Sequence, residues 1–154
     1  MPIGEYDHSE GQLVFMTNQG APLSASARAT FGGFFGGDRV TLSAGMMARY
    51  GDAVTSEFSW ENNNVDLPGG SFDINLGRLR VSYSLSTRLL LQALVQYNDV
   101  EDTISTNLRF SWLRDANTGL YVVYNEVSDL AGAGTGIPDR TLTIKYSRMF
   151  DLLK

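Results

Sequence analysis

Any chemistry in this sequence has to come from a small set of residues, beginning with the only histidine, His8. A Ser-His-Asp relay needs its imidazole held beside a hydroxyl nucleophile. His8 lies in a polar leader, residues 1–10, where nothing holds it, and it reads as a solvated residue. Glu57 and Glu61 fall on one face of an alternating run, with Arg49 expected on the neighbouring strand. Paired carboxylates can hydrolyse glycosides. Charges on the inner wall of a barrel more simply line a wet lumen and pair with one another. The run Glu61-Asn62-Asn63-Asn64-Val65-Asp66, followed by Asp73, offers the oxygen ligands that calcium takes. Its spacing matches no EF-hand loop, and Asn and Asp are ordinary turn formers. Residues 32–37 and 132–136 are glycine-rich, but neither segment carries a Walker lysine or sits in a βαβ unit, so neither reads as a phosphate cradle. The chain has no cysteine, which removes thiol nucleophiles, Cys-based zinc sites and disulfides. No catalytic residue, metal or cofactor is expected, and the chain reads as a non-enzyme.

Composition narrows the class. The 154 residues carry a formal charge of −5 with no basic cluster, which argues against a nucleic-acid partner. With 43% hydrophobic and 19% charged residues the chain should fold. No stretch approaches the roughly 18 apolar residues of a spanning helix. Hydropathy averages are blind to barrels, whose strands alternate polar with apolar. Met1 is followed by Pro2-Ile3-Gly4-Glu5-Tyr6 rather than a basic and then apolar leader. Either the natural chain begins further upstream or it is not exported.

The strongest pattern has period two. From Arg39 to Tyr50, Val40, Leu42, Ala44, Met46, Ala48 and Tyr50 alternate with Arg39, Thr41, Ser43, Gly45, Met47 and Arg49. In a strand this makes one apolar and one mostly polar face. The pattern recurs around residues 23–32, 54–61, 88–98, 104–112 and 141–147. From Phe72 to Tyr83 the apolar phase is even up to Leu76 and odd from Leu79, which a β-bulge near Gly77-Arg78 would explain. Around residues 13–18 and 120–127 both faces carry apolar residues and the phase is open.

About nine strands follow, several of them long enough to cross a bilayer. The expected fold is an all-β, antiparallel up-and-down transmembrane barrel segment over residues 11–154, part of a larger barrel. Short turns are expected near residues 18–22, 51–52, 84–87 and 115–118. Longer loops are expected at 32–38, 62–70, 97–102 and 127–139, the asymmetry of outer-membrane barrels. The polar face supplies candidate lumen residues Arg28, Arg49, Glu57, Glu61, Arg88, Gln92, Gln96, Asn107, Arg109 and Lys145. Tyr50, Trp60, Tyr97, Phe110, Trp112, Tyr146 and Phe150 are candidates for the lipid-facing side and its aromatic girdles. An odd strand count puts the two termini on opposite sides. Nine strands alone would leave open edges in lipid. Closure is expected to come from strands upstream, from another chain or from another copy.

Several stretches carry a resemblance. Gly4-Glu5-Tyr6-Asp7, Phe34-Phe35-Gly36-Gly37-Asp38-Arg39, residues 64–72 (Asn64 to Phe72), Leu94-Val95-Gln96-Tyr97-Asn98, residues 105–112, Tyr121-Val122-Val123-Tyr124-Asn125 and Arg148-Met149-Phe150-Asp151 stand in order along the chain. Together they resemble the C-terminal barrel of an uncharacterised bacterial outer-membrane family. Its members usually carry an N-terminal module similar to family-9 carbohydrate-binding domains. The resemblance implies an outer-membrane location, lipid contact and a channel or scaffold role. It brings no catalytic residues, and the sugar-binding module is absent from this sequence. Two other classes fit the alternation: a soluble lipocalin-like barrel with its apolar face inward, and an outer-membrane enzyme acting on glycans or lipids.

Overall fold

The computed structural model describes residues 9–115, 118–130 and 138–148. They form one sheet of nine strands, each paired antiparallel to the next: β1 (Glu10–Met16), β2 (Leu23–Phe34), β3 (Gly37–Tyr50), β4 (Val54–Leu67), β5 (Gly70–Ser86), β6 (Leu89–Asn98), β7 (Thr103–Asp115), β8 (Thr118–Asp129) and β9 (Asp139–Arg148). The all-β, up-and-down expectation and the strand count hold. The sheet is open, because β1 and β9 are its edges. His8, the glycine-rich segment 132–136 and Phe150 lie outside the described residues.

Residues directly opposite across an antiparallel pair share a face, so the register sorts every side chain. One face carries Phe15, Ala27, Ala44, Trp60, Gly77, Tyr97 and Ile104 in a single row. The other carries Val14, Arg28, Ser43 and Glu61 in the row beside it. The sheet curls around this second face. An open cavity of about 790 Å³ is lined by residues from β1 to β8, among them Val14, Ser26, Arg28, Ser59, Arg78 and Gln96. The polar face is therefore concave and the apolar face convex.

The strands are also staggered. The row that begins at Phe15, beside the C-terminal end of β1, finishes at Ser128, beside the C-terminal end of β8. Those strands run in opposite directions, so the row crosses from one end of the sheet to the other. A stagger of one sense is the shear that tilted barrel strands require.

The phase slip in β5 has a different cause from the bulge expected near Gly77-Arg78. Pairing of β4 with β5 runs unbroken from Val54↔Tyr83 to Leu67↔Gly70. The register shift lies between Ser84 and Ser86, against β6. What changes at Gly77 is which face is apolar. Beyond it, Asn62, Asn64, Asp66, Asp73 and Asn75 occupy the convex side, while Val65, Leu67, Phe72, Ile74 and Leu76 occupy the concave side. The ladder continues and its amphipathicity inverts.

Two of the four expected longer loops are corrected by the same pairing. Residues 32–38 and 62–70 are mostly strand, closed by Phe35-Gly36 and Pro68-Gly69. Their Asn, Asp and Gly content suggested loops, but alternating inward Val65, Phe72 and Ile74 keeps them in the sheet. At the other end the β1–β2 connection, 17–22, is longer than either. The Phe35-Gly36 turn has positive φ at both central residues, 48° and 83°, the twist-matched form for a two-residue hairpin. The open phases are settled too. Leu13, Phe15, Leu120, Val122 and Tyr124 are convex, whereas Val14, Met16, Tyr121, Val123 and Val127 are concave.

Val65, at 4% exposure, is the one buried hydrophobic residue among those described. Convex side chains stand bare, including Leu13 at 66%, Ile144 at 64% and Leu142 at 61%. Cohesion therefore rests on the ladder, each bond contributing roughly 0.5–1.5 kcal/mol net, and on close strand approach. At Gly37 a Cβ would sit 1.9 Å from the Asp66 carbonyl oxygen, whereas at Gly69 it would meet nothing within 4 Å. Gly37→Ala should lower the unfolding free energy by about 1–3 kcal/mol. Gly69→Ala should change it by no more than about 0.5 kcal/mol, both read from urea midpoints.

Candidate functional site

The concave face is the candidate site. Alternation along β2 to β9 places Arg28, Arg49, Glu57, Glu61, Gln92, Gln96, Asn107, Arg109 and Lys145 on it. Arg88 sits in the turn between β5 and β6, beside the end of the same face. Arg78 and Arg80 join them from β5. The sequence hides these two behind the phase change at Gly77, which reads as a bulge beside them. The odd apolar phase from Leu79 already assigned them to the polar side.

Arg49 lies on β3, the strand next to Glu57 and Glu61 as expected, but it pairs with neither carboxylate. The Arg49 guanidinium donates to the Gln19 carbonyl oxygen at 3.1 Å. Glu57 instead lies opposite Arg80, 3.8 Å away, with both side chains nearly half exposed. Glu61 accepts from the Asn63 amide at 2.9 Å. The two carboxylates are thus engaged separately, on partners of different kinds. Arg78 donates to the Ser59 hydroxyl at 3.4 Å, and Gln92 to the Ser82 hydroxyl at 3.3 Å. The side chains of Arg28, Arg109 and Lys145 make no hydrogen bond or ion pair with other described residues. Their cross-strand neighbours are Val14 and Ser43, Gln92 and Val123, and Tyr121 respectively.

The oxygen-rich run 61–66 is split by the pleat. Glu61 and Asn63 are concave, Asn62 and Asn64 convex. On the convex side the Asn62 amide donates to Asn75 at 3.0 Å and also to Asp73. The Asn75 amide donates to Asp73 at 3.2 Å and to Asp99 at 2.8 Å. The Asn75 main-chain N–H donates to Asp99 at 2.7 Å, and the Asp99 N–H returns a bond to the Asn75 carbonyl at 3.2 Å. Amide donors occupy the carboxylate oxygens that a cation would use. Among the described residues no three acidic or histidine side chains gather as a metal site.

The girdle candidates Tyr50, Trp60, Tyr97, Phe110, Trp112 and Tyr146 are all convex. Tyr50, Trp112 and Tyr146 stand toward the β3–β4 turn end, joined by Tyr83. Tyr97 stands toward the opposite end and Trp60 midway along β4, with Phe110 one step inside Trp112. Beyond Tyr124 on that side, Glu126 accepts from Tyr124 and pairs with Arg140 at 2.9 Å.

No protein-family model matches the chain, and neither the curated proteins nor the solved structures yield a match.

Asp99 caps the convex network through two acceptor oxygens. Asp99→Ala should cost about 1–2 kcal/mol, the worth of charge-assisted bonds in a part-exposed place. Asp99→Asn, which keeps one acceptor, should recover part of that. Equal urea midpoints for Asp99→Ala and the unmodified chain would contradict the network's role.

Proposed function

We propose that this chain is an integral outer-membrane β-barrel component, a channel or structural scaffold whose convex face meets lipid and whose concave face lines a water-filled lumen. One observation carries the reading. The convex face is apolar along β1 to β9 and turns polar near the row of Trp60, Gly77 and Tyr97, with no break in register. A single continuous ladder has no internal reason to exchange its faces partway along. A change of surroundings supplies one, since lipid rewards apolar side chains and water beyond it rewards Asn and Asp. At the tips the inward side is apolar in turn: Phe34 on β2 and Val127 on β8 join Val65 and Phe72 there.

The dimensions agree. On β3 the apolar run Val40–Tyr50 extends ~33 Å at about 3.3 Å per residue. A tilt of roughly 40° brings this to about 25 Å of height, the apolar band of outer-membrane barrels. An exposed apolar surface of this extent has no place on a soluble monomer. The lipocalin-like alternative needs the apolar face inward, opposite to the curl seen here. The resemblance to the outer-membrane family points the same way.

The partners follow from the edges. Unpaired main-chain groups in lipid cost several kcal/mol each, so lipids cover the convex face and further strands cover β1 and β9. Both edge strands run toward the same end of the sheet. An all-antiparallel closure therefore takes an odd number of additional strands. A second copy inserted in the same sense would meet both seams in parallel, which favours an upstream segment or a different chain.

The lack of cysteine makes labelling clean. In vesicles, single cysteines at Leu42, Leu79 and Leu108 should react with lipophilic maleimides and resist water-soluble ones. Cysteines at Ser43, Asn64 and Asn107 should react with the water-soluble reagent. Equal water-soluble labelling at Leu79 and Asn64 would overturn the spanning reading.

A further inference from the structure

The charge of this protein is sorted by place, and the sorting points to a ligand class. The whole chain is acidic, with net charge −5. On the concave face, at the depth of the apolar belt, the balance reverses. Arg28, Arg49, Arg78, Arg80, Arg109 and Lys145 stand there against Glu57 and Glu61, with Glu101 of the β6–β7 connection also on the cavity wall. Of these cations Arg80 alone has a carboxylate directly across the ladder. Asp66, Asp73 and Glu126 lie instead on the convex tips and Asp99 in the β6–β7 connection, while the concave acids Glu10, Asp129 and Asp139 stand at strand ends outside the stripe, Glu10 with Arg39 at 3.6 Å.

Guanidinium groups keep their charge at any physiological pH. Like charges held on one curved wall repel one another, and mobile counterions relieve that cost. A concave, low-dielectric wall also focuses the field that draws those ions in. Ser26, Ser59, Gln92, Gln96 and Asn107 lie between the cations and supply donors for an anion's oxygens. Cation rings of this kind set anion preference in pores.

We infer that the concave face collects small anions, of the carboxylate, phosphate or sulfate class, along the stripe from Arg28 through Arg78 to Arg109. The inference deepens the proposed function and rests on it only in taking the concave face as the wet one. Cations would be depleted from the same stripe, and added salt would weaken the effect, because screening shortens to about 3 Å at 1 M.

The test compares anionic and cationic methanethiosulfonate reagents on single cysteines at Ser26 and Gln92 in the full chain in vesicles. The rate ratio, anionic over cationic, is divided by the same ratio for free 2-mercaptoethanol. At low salt the quotient should exceed one by about threefold or more, and it should approach one at 1 M salt. Arg28→Glu with Arg78→Glu should bring the Ser26 quotient to one or below, and Arg109→Glu should do so for Gln92. Asp73→Asn, on the convex tip, should leave both unchanged. A quotient at or below one in the unmodified background, or one unmoved by the charge reversals, overturns the inference. Because the ratio needs no closed pore, it is read independently of maleimide labelling at Leu79, whose failure would remove the spanning reading instead.

Discussion

The antiparallel ladder carries the structure, because almost nothing else does. Val65 is the lone buried hydrophobic side chain among the described residues, so no packed interior stands behind the sheet. Main-chain bonds from β1 to β9 fix each residue's neighbours, and the pleat fixes its face. A slip of one residue would send Leu79 inward and Arg80 outward. Register is thus the single variable on which convex belt, concave charge and polar tips all depend.

The same dependence explains what could be read from residues alone. Strong alternation in β3 and β7 needs no neighbour to be interpreted, and their faces were legible directly. β1 and β8 were not, because Val14 and Met16, or Tyr121 and Val123, are apolar on the concave side as well. Only pairing with β2, β7 and β9 distinguishes the faces. β5 misled for a subtler reason. A phase change along one strand reads as an inserted residue if its surroundings are assumed constant. Here the strand is regular through Gly77 and its outward residues change in kind.

Loop lengths were the least legible feature. Asn62-Asn63-Asn64 and Gly32-Gly33 have loop composition, yet both lie in strands whose partners extend equally far. The candidate site was legible as a face but not as contacts. Arg49 stands on the strand next to Glu57 and Glu61, as expected, yet its guanidinium reaches a main-chain carbonyl, while Glu57 lies against Arg80. Face membership follows from parity, whereas partnership depends on which strand lies opposite and how far it is shifted.

The β4–β5 hairpin shows how such an architecture can change. Above the belt its two strands continue in perfect register to a two-residue turn at Pro68-Gly69. Adding one residue pair to each arm would lengthen the hairpin and keep every inward position inward. Adding a single residue to each arm would exchange the sides of everything between the insertion and the turn. Growth or trimming at this end is therefore quantised: the hairpin can be remodelled in even steps while the sheet beneath it stays as it is.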